Sequence, residues 1–114
     1  MRDDARYTMK PLMKRLQTTA RTLRFYEEKG LVKPQREGGR RVYSAADVER
    51  LEHVLDWTAA GISLREAKAA MALLDQGDVT NLTKFLRDKL LSLELQHTKR
   101  LEHVYGLQKE LARI

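Results

Sequence analysis

From Asn81 to Arg113 the chain has no proline and a single glycine, Gly106, so nothing interrupts one long helix. Within it Leu86, Leu90, Leu93, His97, Arg100, Val104, Leu107, Leu111 and Ile114 recur at alternating spacings of four and three. That is the seam of a coiled coil, with His97 and Arg100 as polar interruptions and His97 a tolerated residue that specifies register. A chain of 114 residues holds one core of ordinary size. A seam this long therefore needs a second helix to cover it, and Leu86, Leu90, Leu93, His97, Leu101, Val104, Leu107 and Leu111 are the expected interface of a homodimer. Leu82, Phe85, Leu91, Leu95 and Leu101 lie off the strict seam, which implies packing on more than one surface. The competing arrangement is a lone helix folded back on its own domain.

Charge separates the two ends of the chain. Residues 1–41 carry twelve Lys or Arg against five Asp or Glu, a net +7, whereas residues 42–114 carry ten against eleven, a net −1. The whole excess of +6 sits in the first third, which points to an acidic partner; the bland reading is a solvated basic surface. No apolar run is long enough to span a bilayer and the N-terminus lacks a secretory pattern, so a cytoplasmic, nucleoid-associated location is expected and no membrane partner. Cysteine is absent, which removes disulfides, thiolate nucleophiles and cysteine-held metals or clusters. His53, His97 and His103 offer no i, i+4 pair, so neither a metal site nor a cofactor is expected.

The basic third reads as two short helices. Thr8 can cap a helix over Met9 to Leu16, with Pro11 in its first turn where a missing N–H costs nothing. After Gln17 and Thr18, Thr19 can cap a second helix, whose Ala20 and Leu23 would pack on Leu12 and Leu16. Its other side aligns Thr18, Arg21, Thr22 and Phe25, flanked by Arg24, and Gly30 ends it. Guanidinium groups, hydroxyls and a ring suit phosphates and base edges, so Thr19 to Glu28 reads as the recognition helix of a helix-turn-helix. Leu31 to Pro34 and Arg40 to Tyr43 then read as two strands joined at Gly38 and Gly39, a wing whose Arg36, Arg40 and Arg41 reach the duplex backbone or a minor groove. Taken alone, such a hairpin could equally use its arginines to keep a sheet edge from aggregating.

The runs RTLRFYEEKGLV (21–32), GGRRVYS (38–44), DVERL (47–51) and GISLREA (61–67), in this order, resemble the mercury-resistance-regulator (MerR) family of bacterial transcription regulators. The resemblance spans about Tyr7 to Leu74. It implies a winged helix-turn-helix homodimer held by an antiparallel coiled coil, which binds a palindromic promoter operator, bends and untwists the DNA, and meets RNA polymerase there. Thr18, Thr19, Arg21, Thr22, Arg24, Phe25, Tyr26, Arg40 and Arg41 become the expected DNA-binding residues, with Arg21, Thr22 and Arg24 in the major groove and Arg40 and Arg41 on the flanking backbone. Two positions depart from the family pattern. Phe25 stands where many members have a tyrosine able to bond a phosphate, and Arg40 stands where an aromatic residue is common in the wing. The cysteines by which metal- and redox-sensing members detect their signals are missing.

Further along, Ser44 with Asp47 and Ser63 with Glu66 have capping-box spacing. Neither serine has a base at motif spacing, so both read as caps and not as nucleophiles, and no enzyme activity is expected. Val54, Leu55, Trp57 and Ile62 read as core, with Trp57 alternatively lining a small pocket, and Asp75 to Thr80 as a polar link. The fold expected is mainly α-helical with a small two-stranded wing: a DNA-binding domain over 7–76 and a dimerisation helix over 78–114, with no effector-binding module after the coil. Two other functions fit the same residues. One is a nucleoid or partition protein that bends DNA without controlling a promoter; the other is an interaction module whose long helix binds another protein.

Overall fold

Leu12 and Leu23, both fully buried, tie the first two helices into one core. The computed structural model describes residues 5–114. Along the chain these form β1 (Arg6–Tyr7), α1 (Met9–Leu16), α2 (Ala20–Glu28), β2 (Gln35–Glu37), β3 (Arg40–Ser44), α3 (Ala45–Ala59), α4 (Leu64–Asp75) and α5 (Val79–Ala112). Between α1 and α2 the chain reverses in three residues by placing Gln17 in the left-handed region at φ 53°, its N–H bonded to the Met13 carbonyl. Thr19 then caps α2, its hydroxyl oxygen accepting the Thr22 N–H at 3.1 Å. Thr8 occupies the matching position before α1, but its side chain makes no capping bond.

Gly30 ends α2 at φ 77°, so that its N–H reaches the Glu27 carbonyl and the Leu31 N–H reaches the Tyr26 carbonyl, both at 3.0 Å. This is the Schellman closure that a residue without Cβ permits. It also explains why the expected strand over Leu31 to Pro34 does not form. The Leu31 N–H is committed to α2, its carbonyl accepts from Arg50 Nε at 2.9 Å, and Leu31 and Val32 both turn inward to about 1% exposure. Pro34 has no N–H to donate, and pairing begins one residue later.

The hairpin pairs Gln35 with Val42, Arg36 with Arg41 and Glu37 with Arg40. Gly38 and Gly39, at φ 57° and 79°, supply the two left-handed residues of a two-residue hairpin turn. A third strand joins what sequence reading leaves as two: β1 pairs antiparallel with β3, Arg6 opposite Ser44 and Tyr7 opposite Tyr43, giving the order β1-β3-β2. An ion pair between Arg6 and Glu37 links the two outer strands.

Ser44 and Ser63 are caps. The Ser44 hydroxyl accepts the Asp47 N–H at 3.1 Å while the Asp47 carboxylate accepts the Ser44 N–H at 2.9 Å, and Ser63 and Glu66 exchange the same two bonds. Val48, Leu51 and Val54 of α3, Ile62 of the turn, and Ala67 and Met71 of α4 complete the core. Trp57 packs against that core from its edge, with the His53 ring stacked on it at 5.5 Å between centroids.

The last helix starts at Val79, inside the stretch read as a polar link, because Asp78 accepts the Asn81 N–H and cuts that link to three residues, 76–78. At ~1.5 Å per residue its 34 residues reach about 51 Å. Only its first part lies on the domain: Leu86 and Leu93 pack against the core, and Lys89 Nζ pairs with Glu66 Oε2 of α4 at 2.8 Å. From Glu94 to Ile114 every residue is exposed. The resulting extents are 66 × 34 × 26 Å, with a radius of gyration of 18.8 Å against about 13 Å for a compact chain of similar length.

Candidate nucleic-acid interface

The outer face of α2 carries Arg21, Arg24 and Phe25, all exposed, with Thr18 and Thr22 half-buried between them. A shallow recess on this face is lined by Arg21, Thr22, Arg24, Phe25 and Glu28. Thr19 is less available than the sequence suggests. Its hydroxyl accepts from the Thr22 N–H and donates to Thr22 Oγ1 at 3.0 Å, which leaves the Thr22 proton as the hydroxyl donor that can point outward. Tyr26 does not share the face: at 7% exposure its ring belongs to the core, a consequence of its falling one helical turn after Leu23 on the buried side.

The wing meets α2 through one carboxylate. Glu27 Oε1 accepts from Arg41 Nε at 2.5 Å and Glu27 Oε2 lies 3.7 Å from Arg36. The hydrogen bond that Arg41 donates to Glu27 makes its guanidinium hold its proton more tightly than usual. Arg41 is thus tied to α2 by its partner, its side chain 25% exposed, where its place in GGRRVYS suggests a freely exposed group. Beneath it, Tyr43 is fully buried with its hydroxyl unpartnered, and burial pushes its pKa up. Arg40, by contrast, is exposed, and among the described residues no carboxylate pairs with Arg21, Arg24 or Arg40. A groove of about 310 Å³ runs between α1, α2 and the wing, lined by Thr8, Met9, Lys10, Arg24, Gly39, Arg40 and Arg41. Cations from three elements so converge on one channel, an arrangement suited to a polyanion backbone.

A sequence profile described as "MerR HTH family regulatory protein" matches residues 7–74, well over half of the chain. The chain belongs to the MerR family. Among MerR-family relatives, the transcriptional regulator GlnR of Bacillus anthracis is 30% identical over 106 residues, covering 85% of this chain and 82% of GlnR. YfmP of Bacillus subtilis (strain 168), also an HTH-type transcriptional regulator, is 48% identical over 61 residues, covering 51% of this chain and 44% of YfmP. A crystal structure of HiNmlR, a MerR-family regulator lacking the sensor domain and bound to promoter DNA, covers 94% of this chain and 79% of its own at a TM-score of 0.61 and 26% identity. A MerR-family regulator from Bacillus thuringiensis shares the fold at a TM-score of 0.68 and 24% identity, covering 96% of this chain and all of its own. The MerR family is one of DNA-binding transcriptional regulators rather than enzymes.

Away from the α2 face and the wing, the expected seam divides. Leu86 and Leu93 belong to the domain's own core, Leu93 lying against Gly61, where a Cβ would meet its methyls at 3.4 Å. Leu90, His97, Leu101, Val104, Leu107 and Leu111 are exposed. Periodicity places all eight on related faces, but only contact with α4 and with Gly61 sets Leu86 and Leu93 apart from the rest. Glu27, which joins the wing to α2, does not stand out in the sequence, because its partners lie nine and fourteen positions away across the hairpin. Among the described residues no helix is long and apolar enough to cross a membrane.

Proposed function

We propose that this MerR-family regulator acts as a homodimer on a palindromic promoter operator and distorts the duplex there, in reach of RNA polymerase. The observation that carries the reading is the convergence of Arg24 and Arg40, from different elements and with no carboxylate partner among the described residues, on one groove beside the exposed α2 face. Arg21 and Thr22 enter the major groove and supply sequence choice, while Lys10 and Arg40 grip phosphates on either side. Arg41 keeps the wing at the right angle through Glu27.

Dimerisation is supported by the exposed half of α5. Leu86 and Leu93, which rest on the core, and Val104, Leu107 and Leu111, which are exposed, lie on one face at helical spacing. A second copy arranged antiparallel supplies both a helix beside the first and a domain beneath its projecting end. The sequence chosen by the protein from a random duplex pool should be an inverted repeat, and its mobility should depend on where the site lies in a permuted fragment, the mark of a bend. Selection of an asymmetric single site, or mobility independent of position, would overturn the dimeric, distorting reading.

A further inference from the structure

Phe25 is 41% exposed, and among the described residues before Val79 it is the one large apolar side chain left on the surface. It lies one helical turn beyond Arg21 and Thr22 and lines the same recess of α2 with them, with Arg24 and with Glu28. Lys29 Nζ sits 5.3 Å from the ring centroid, so a cation occupies one face, and the Tyr26 ring lies tilted at 6.3 Å on the inner side. What remains open is the ring surface that looks outward with Arg21 and Thr22. Phenylalanine has no hydrogen-bond donor, so it cannot hold a phosphate. In a major groove the one apolar feature of the base edges is the C5 methyl of thymine.

We propose that Phe25 is a specificity-determining residue that reads a thymine methyl in each half of the bound duplex. The inference rests on the reading of α2 as the recognition helix and adds the base that its ring selects. Arg21 and Thr22 would choose among bases by donating hydrogen bonds, while Phe25 would require the methyl and reject the smooth edge of cytosine or uracil at the same depth. Lys29, over the opposite face, holds the ring in place and can itself reach a neighbouring phosphate.

The probe is the duplex that the intact protein selects most tightly from a random pool, with each thymidine replaced in turn by deoxyuridine, which removes only the methyl. Withdrawal of one buried methyl corresponds to about a fourfold loss of affinity. The wild type should lose that factor at one thymidine in each half-site and little at the others. Phe25→Ala should bind more weakly overall and be indifferent to the methyl at that position; Phe25→Leu, which keeps an apolar tip, should keep the sensitivity. A flat scan with the wild-type protein overturns the proposal while leaving DNA binding standing, and so does a methyl effect that persists undiminished in Phe25→Ala. If the pool yields no selected duplex at all, the recognition-helix reading itself fails and this inference with it.

Discussion

Leu107→Asp is the substitution that most sharply probes the projecting helix. Leu101, Val104, Leu107 and Leu111 are 38, 41, 46 and 68% exposed in the single chain, so each still has about half its side chain to bury, worth ~1 kcal/mol apiece. Over two copies that sums to ~8 kcal/mol, which is of the same order as the ~4 to 15 kcal/mol lost in freedom on association. One unfavourable pair is therefore decisive. Aspartate at 107 removes the apolar contribution of two leucines and places two carboxylates where water is excluded, a change of at least ~4 kcal/mol per dimer. At ~1.4 kcal/mol per decade this raises the dimer dissociation constant by roughly a thousandfold. Sedimentation equilibrium over a dilution series measures it, with circular dichroism to show that the domain stays folded and Leu107→Met as a control that keeps the dimer. A change of less than tenfold, with the fold intact, would refute the assignment of this face to the dimer. Leu93→Asp is the wrong test despite its place in the middle of the seam, because Leu93 packs on Gly61 and the core of its own chain.

Glu27→Gln removes an acidic charge between wing and α2, so charge alone predicts tighter binding to DNA; loss of the Arg41 and Arg36 partner instead should weaken binding several-fold and stability by ~1 kcal/mol, as read by a titration of the selected duplex and a thermal melt. Arg21→Ala should weaken the selected duplex more than random DNA, by about 1 to 3 kcal/mol of discrimination, and equal losses on both would contradict a base contact. Arg40→Ala should lower both affinities alike and reduce the salt slope by about one, whereas an unchanged slope would take Arg40 off the backbone. The Lys89 ammonium and the Ser63 N–H and hydroxyl hold Glu66 at about 2, below its ordinary 4.5, so its contribution to stability is complete above pH 4.5 and vanishes as pH falls towards 2. The stability gap between wild type and Glu66→Gln should accordingly be constant at neutral pH and close over that acid window in denaturant titrations; a gap of equal size at pH 2 would argue against the ion pair.

Features fixed within one turn of chain were legible without coordinates. Thr19, Ser44 with Asp47, and Ser63 with Glu66 act on partners three residues away, and two adjacent glycines have few uses other than a tight hairpin turn. What escaped depends on distant partners. Leu31 and Val32 look like any apolar pair in a strand until Arg50, nineteen residues on, takes the Leu31 carbonyl. Tyr7 pairs across to Tyr43 in a two-residue strand too short to have a period. At the interface the exposed arginines of α2 followed from helical spacing, whereas the inward turn of Tyr26 and the tethering of Arg41 by Glu27 required knowing which side the core and the wing occupy.

Ser44 closes β3 and caps α3 in the same residue, paired with Arg6 on one side and bonded to Asp47 on the other. There is no slack between sheet and helix. A wing attached through a loop could tilt to follow whatever groove it met, but this one cannot tilt without either unpairing the sheet or turning α3 along with it. On the proposed reading, compliance at the contact comes from the partner: the protein would act as a rigid jig, and a duplex held against both wing and α2 would take up the difference in its own curvature.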